Sequence, residues 1–544
     1  MEVKQETMMP VTEPVNQSEV GGVNKPVFAG NTIYTNRLKG NFGFFGVATL
    51  LYALLYGLCM FKNNSGVAYP FFVAGSLLYI CLSLSKLEIS LKKGALFQMI
   101  CMMLLAVATF ATDDGRIIFF NKLGIFLLAI CLVLQQFYDT HKWGLGKFFA
   151  GILQSIGNMF GELPAPVRDA KEYFKTKKGK YNQKTIAAIL GVVIMIPVLV
   201  VILSLLSSAD VVFNEVTKEI LEWLELENLG NIFFRTVICF FGAYALLTYF
   251  CGLHISPEVT DRRKGEPILM MIITAGLTVV YAYFSVIQII YLFMGQLELP
   301  EGYTYAEYAR EGFFQLLLVG IINLVIVLCT LAYFKESKVL KTILTLMSLC
   351  TFVMIASSAY RMVLNIRYYY LTFMRILVLW GLIILFFMFV GVIFYIWKES
   401  FPLFRYGVTI VSVLYIALAF SHPDYWIAKV NLSNAEGQVK GEFAQEFFLA
   451  ENDYDDFYYI ATLCADAAPV VYEFMDEVGY YDFAEQEKLW YTDLRDYTAD
   501  WEFGHLYLKR MRNRTEDMNW RTYNISRHMA VLSLEKYEPS AMQE

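Results

Sequence analysis

The chain alternates between long apolar runs and short polar connections. A helix that crosses a bilayer needs about 20 mostly apolar residues, because the hydrocarbon core is about 30 Å thick and the helix rises about 1.5 Å per residue. Eleven runs meet that requirement: 42–61, 66–85, 95–112, 117–138, 186–206, 232–254, 267–295, 312–334, 340–360, 373–397 and 403–421. In each of them Leu, Ile, Val, Phe, Met and Ala lie on all sides of the helix, the pattern of segments surrounded by lipid and by one another. Asn121 and Lys122 interrupt the fourth run near its start, so the expected number of spans is ten to twelve. Pro197 and Gly276 are expected to break the fifth and seventh spans. Residues 143–163 are apolar but interrupted by Gly and polar positions, which predicts a helix lying in the membrane plane.

Composition narrows the class. Of 544 residues, 57% are hydrophobic and 17% charged, with a mean hydropathy of +0.47. Soluble domains average about 45–50% and about 25%. Both values are displaced toward a membrane protein and away from a cytosolic enzyme, a disordered chain or a nucleic-acid binder. The fold expected is all-α: a polytopic bundle of about eleven spans with a small helical domain after the last one.

Charge gives the orientation. Lys and Arg collect on the cytoplasmic side of spans. The loops on the amino-terminal side hold most of them, including Lys86, Lys92, Lys93, Arg262, Arg263, Lys264 and the run from Arg168 to Lys184. The amino terminus is therefore expected inside and the carboxyl terminus outside. Residues 1–40 are polar, contain Pro10, Pro14 and Pro26, and lack the apolar core of a signal peptide. They read as a disordered cytoplasmic tail, followed by a membrane domain at 41–431.

After the last span the composition reverses. Residues 432–544 carry 23 acidic and 10 basic side chains, a net −13 that leaves +7 for the rest of the chain. Aromatic residues such as Phe447, Tyr458, Trp490 and Trp520 argue for a folded, extracytoplasmic helical domain. Asp453 is placed to cap a helix over 453–478, with Pro469 breaking it in two, and 482–536 again shows helical spacing. Cys464 alone of nine cysteines lies in this segment, and the other eight sit in or beside spans.

Polar groups near the membrane are the candidates for function. Asp210 closes the fifth span and is placed to cap the helix that follows, whose Glu215, Glu219 and Glu222 share a face. Arg310 and Glu311 enter the eighth span at its outer boundary, within reach of Glu307 one turn away. Arg361, Asn365, Arg367 and Arg375 form the densest polar group, on the side expected to be poor in arginine. Pairing with acids of the tail, or with Glu215, Glu219 and Glu222, would clamp the outer face. His422 and Asp424 lie where a new helix begins at Pro423. Gln288 and Asn323 are deep in spans, where such side chains usually bond a neighbouring helix.

Phosphate-binding loops, zinc-ligand spacing and hydrolase motifs are absent from the sequence, so no cofactor, metal or catalytic set is expected. The expected partners are the lipid bilayer and an unidentified extracytoplasmic protein, with no nucleic acid.

Four segments carry a resemblance: Ser-Ala-Asp-x-x-Phe at 208–213, Tyr-Ala-x-Tyr-Ala-Arg-x-Gly-Phe-Phe at 305–314, Ser-Ala-Tyr-Arg at 358–361 and Pro-Asp-x-x-Ile-Ala-x-x-Asn at 423–431. In that order they resemble an uncharacterised bacterial family of multi-pass membrane proteins, a domain of unknown function of the DUF4173/DUF4153 type. His422 stands where that family leads one to expect Asn, and Val211 where Pro is frequent. The resemblance implies a bacterial cytoplasmic membrane and no known activity. A non-enzymatic envelope sensor, binding protein or scaffold fits the polar outer face best; a small-solute transporter is the alternative, and a membrane-embedded enzyme ranks third.

Overall fold

The computed structural model describes residues 32–137, 145–176, 227–252, 263–293, 312–439, 459–477 and 502–537 except Asp517, with isolated positions between 195 and 213. It is helical throughout these segments. Residues 1–31 of the tail expected at 1–40, the Asp453 cap, the acidic helix face at 215–222, and Arg310 and Glu311 lie outside the described residues; residues 32–40 of that tail form a helix and are not disordered. Of the run at 186–206 only Met195, Ile202 and Leu206 are described, all helical and exposed.

A first group of helices comprises α1 (Thr32–Gly40), α2 (Phe42–Met60), α3 (Ala68–Lys86), α4 (Ala95–Ala111), α5 (Gly115–Phe137), α6 (Leu145–Met159), α7 (Ala165–Thr176) and α8 (Glu227–Gly252). A second comprises α9 (Pro267–Ile287), which runs on into a π-turn at Gln288–Phe293, with α10 (Phe313–Tyr333), α11 (Lys338–Tyr369) and α12 (Phe373–Trp397). Helix α13 (Leu403–Ala419) packs on both α4 and α12 and so joins the groups. It bends by 53° into α14 (Pro423–Val439), which continues without a break across residues 431–432. The tail adds a 3-10 turn at Ala465–Ala467, α15 (Ala468–Glu477), α16 (Glu502–Thr515) and α17 (Ile525–Tyr537).

Among the described residues eight helices are long and apolar enough to cross a membrane, and the bent α13–α14 pair makes up to nine. Their outward faces are apolar: Ile272 and Val279 on α9 are 69% and 70% exposed, which suits contact with lipid. The chain is an integral, multi-pass membrane protein. Two expectations are corrected. Gly276 does not break its span, because α9 runs through it unbroken. Pro469 does not divide a helix either; it stands in the first turn of α15, where a missing N–H costs no helical bond, and the break falls before it.

Ionic and polar contacts define two ends of the bundle. At one, α1 meets α7 through Lys39 and Glu172 (2.8 Å), and Arg37 pairs with Glu88 (2.6 Å). The π-turn end of α9, the α2–α3, α4–α5 and α11–α12 connections and the bend at 420–422 lie at the other. The tail docks there. Its Ile460, Leu463, Val471, Tyr472, Met475 and Tyr507 share one hydrophobic cluster with Leu105 and Ala108 of α4, Leu418 of α13 and Ile427 of α14.

Candidate functional site

Beside that cluster sits a polar centre built on three helix starts. The α4–α5 connection is Thr112-Asp113-Asp114, too short to carry its own polar groups out to water. Asp114 Oδ1 accepts the backbone N–H of Arg116 (2.8 Å), which caps α5, while Thr112 Oγ1 accepts the N–H of Asp114 (3.1 Å). Asp424 occupies the first turn of α14, and Asp466 lies in the turn that leads into α15. Helix starts carry free N–H groups and the positive end of the helix dipole, so carboxylates gather there. Asp113, Asp114, Asp424 and Asp466 are all buried, at 2–7% exposure.

Asp113, Asp424 and Asp466 have partners from distant parts of the chain, whereas Asp114 is held by Arg116 two residues on. Asp466 Oδ2 accepts from Thr112 Oγ1 (2.5 Å) and faces His422 Nδ1 (3.0 Å); its Oδ1 accepts the N–H of Asp113 (2.9 Å) and the hydroxyl of Ser526. Asp113 is held by Arg527 Nε (2.7 Å) and by Arg514, both from the tail. Arg116 bridges Asp114 and Asp424, and its guanidinium lies 3.8 Å from the centre of the Phe373 ring. Asp424 Oδ2 accepts the backbone N–H of Cys464 (3.1 Å). Four carboxylates thus face three guanidiniums and one imidazole, so protonation of His422 brings the centre to neutrality.

Titration follows from these contacts. Burial pushes the Asp466 carboxyl up, but the His422 hydrogen bond and charge, with Ser526 and Thr112, outweigh it and hold the group below the usual carboxylate range. The same hydrogen bond lifts His422 above an ordinary imidazole, against the effect of its burial. Burial pushes the Cys464 thiol well above its ordinary value, which leaves it an inert packing group.

Around this centre the tail engages further connections. Asn524 Nδ2 donates to the carbonyls of Ser65 (3.1 Å) and Thr112 (2.9 Å). The N–H of Val67 donates to the carbonyl of Tyr523 (2.8 Å) at the start of α3. In the α11–α12 connection, Asn431 holds Leu371 by both its N–H (2.8 Å) and its carbonyl (2.9 Å), and Tyr459 accepts the N–H of Phe373 (2.9 Å). Both helix groups are therefore tied to the tail and to α14.

Among the residues singled out from sequence, only Asp424 and His422 belong to this centre. Asp210 accepts the N–H of Phe213 (2.8 Å), the geometry of a helix cap. Asn365 is buried and Arg367 exposed, both on α11. Arg375 donates to the Tyr370 carbonyl, and Arg361 lies beside Gly312, where φ is +93° and a Cβ would stand 3.0 Å from Nη1. Gln288 accepts from Ser357 (2.6 Å), and Asn323 donates to Thr351 (3.0 Å), so each bonds across to α11. Among the described residues the tail supplies Arg514 and Arg527 to Asp113 of the bundle, and Asp466 to His422 at the bend. Sequence reasoning passed over Asp113, Asp114 and Arg116. The available signal was two adjacent acids and an arginine crowded into a turn between two apolar runs, where charge is costly to hold.

The family model for the domain of unknown function DUF4153 matches residues 99–474, more than half of the chain. The chain belongs to that family. The DUF4153 match takes in Asp113, Asp114, Arg116, His422, Asp424 and Asp466, and ends before Arg514, Ser526 and Arg527. No curated protein and no solved structure matches the chain.

Proposed function

We propose that this is a non-enzymatic, receptor-like protein of the bacterial cell membrane, with its amino terminus and α7 in the cytoplasm and its tail outside. The tail binds an extracytoplasmic protein partner, and the buried polar centre passes a change in the tail's seating to both helix groups. One observation carries the reading: the carboxylates of the α4–α5 turn, the start of α14 and the tail are joined through hydrogen bonds and ion pairs that cross between bundle and tail. A segment that only hung from the last span would not need buried charge, which is costly unless fully paired. The orientation is supported by the Lys and Arg of α1 and α7 at the end opposite the tail.

The histidine–carboxylate pair does not by itself argue for catalysis. A base-activated nucleophile needs its hydroxyl on the imidazole, whereas Ser526 Oγ donates to Asp466. Among the described residues no group of His, Cys, Asp and Glu is arranged to hold a metal ion.

The test uses full-length protein in cells, with single cysteines introduced at Glu535 and Lys175 and labelled by a membrane-impermeant maleimide. Glu535→Cys should label in intact cells and Lys175→Cys only after permeabilisation; the reverse pattern overturns the orientation. Adding Asp466→Ala should change the labelling rate of Lys175→Cys in permeabilised cells. An unchanged rate, with the tail shown by proteolysis to be released, overturns the transmission.

A further inference from the structure

Helix α4 has 17 residues, a rise of about 25 Å at about 1.5 Å per residue, while the hydrocarbon core is about 30 Å thick. One apolar stripe of α4, made of Leu96, Ile100, Leu104 and Val107, faces outward. The stripe stops about one turn short of the thickness it should cover. What lies beyond its end is the tail. Tyr523 packs on Phe110 of the last turn of α4, with ring centres 6.2 Å apart, and α17 begins two residues later.

Helix α17 has an inner and an outer face. Ser526 and Ala530 point into the molecule, whereas Ile525, Met529 and Leu532 are 40–46% exposed, spaced so that they line one side. Trp520, in the turn before α17, is 80% exposed, a large apolar side chain with nothing of the protein over it. Its neighbour Arg521 donates to the carbonyl of Leu58 (3.0 Å) in the last turn of α2, and Leu58 is itself exposed on the lipid-facing side. The exposed apolar surface of the tail is thus continuous with that of the spans.

Charge agrees. Residues 502–537 hold seven basic and four acidic side chains; Arg514 and Arg527 are engaged by buried Asp113, which leaves Arg521 beside Trp520 and exposed Lys536 one turn beyond Leu532 next to this face. An exposed apolar stripe with Trp beside it and Lys and Arg around it is the chemistry of an interfacial helix on anionic lipid.

We propose that Trp520 and the Ile525–Met529–Leu532 face of α17 are seated in the headgroup region of the adjoining leaflet, against anionic phospholipid, and complete the apolar surface that α4 leaves short. The tail is a wedge in the membrane surface and not a domain held clear of it. Arg521 and Lys536, beside that face, meet the lipid phosphates.

The experiment reconstitutes full-length protein and Trp520→Phe in nanodiscs of phosphatidylcholine with phosphatidylglycerol, with and without bromine on the acyl chains near the headgroup. The difference in tryptophan emission between native protein and Trp520→Phe isolates Trp520. Bromination should remove part of that difference signal. A signal at the wavelength of tryptophan in water overturns the proposal. So does a blue-shifted signal blind to bromine, which would put protein, such as a second copy of the chain, over this face. Trp520 is too exposed for its loss to disturb packing, and hydrogen exchange of the native protein gives an independent reading. Amides of 525–537 should exchange more slowly in discs containing phosphatidylglycerol than in pure phosphatidylcholine; equal rates overturn the part given to anionic headgroups.

Discussion

At His422 backbone and side chain make separate demands. Its φ is +48°, in the left-handed region where Asn is among the better tolerated residues, which accounts physically for Asn being expected there. Its imidazole faces buried Asp466, behind which stand Thr112, the N–H of Asp113 and Ser526. Because the folded pKa lies above the unfolded value of about 6.5, the protonated imidazole stabilises docking fully below that value. The contribution is lost as pH rises through the raised folded value. Tail docking, followed by limited proteolysis of the 502–537 segment, should therefore weaken as pH rises above neutrality. His422→Asn should keep the backbone and flatten that dependence; an unchanged slope would assign it to another group. Asp466 makes the larger contribution. Its removal leaves Ser526, Thr112 and a charged imidazole without their acceptor, so Asp466→Ala should lower the stability of the docked tail by about 3–5 kcal/mol, the cost of breaking a buried pair from one side. Hydrogen exchange of the α15 amides measures it. A loss well below 1 kcal/mol would mean that water enters the centre freely.

At the scale of elements, the spans were legible and the docking was not. Helices α2, α10 and α12 end within one residue or so of the apolar runs that predicted them, because the period and length of an apolar run are local properties. Helix α11 extends past its run to Tyr369, since Arg361, Asn365 and Arg367 continue it as polar positions that hydropathy counts as an end. Asp114 has Arg116 two residues away, whereas Asp113 is passed over in the sequence because its partners, Arg514 and Arg527, lie some 400 residues further on. The same holds for Gly66, which looks like an ordinary turn glycine. A Cβ there would come within 2.4 Å of the Arg521 carbonyl oxygen and 2.5 Å of the Thr522 Cα, both backbone atoms unable to swing aside. Gly66→Ala should push the 519–524 turn off the α2–α3 connection while leaving the spans intact. Faster proteolysis of the tail with unchanged helix content by circular dichroism is the expected result, and native-like resistance would show that the turn can shift without cost.

At the scale of the whole molecule, two helix groups meet through α13, and the tail covers the end where their connections converge. Buried charge at that end serves specificity more than stability, since ion pairs taken from water return little net energy even when well made. What they do supply is a unique seating: Asp113 matched to Arg514 and Arg527, and Asp466 matched to Thr112, His422 and Ser526, fit in one register only. Hydrophobic contacts between the tail and α4, α13 and α14 provide the non-directional part.

The α4–α5 turn is made some 400 residues before its arginine partners, with most of the spans synthesised in between. During that interval two adjacent carboxylates sit at the membrane surface with Arg116 as their only nearby counter-charge in the chain so far made. Closure of this end is thus a late event of biogenesis, as expected for contacts of such large sequence separation. A nascent chain that stops before Arg514 leaves behind an open acidic socket, a visible mark of incompleteness that membrane quality control could read.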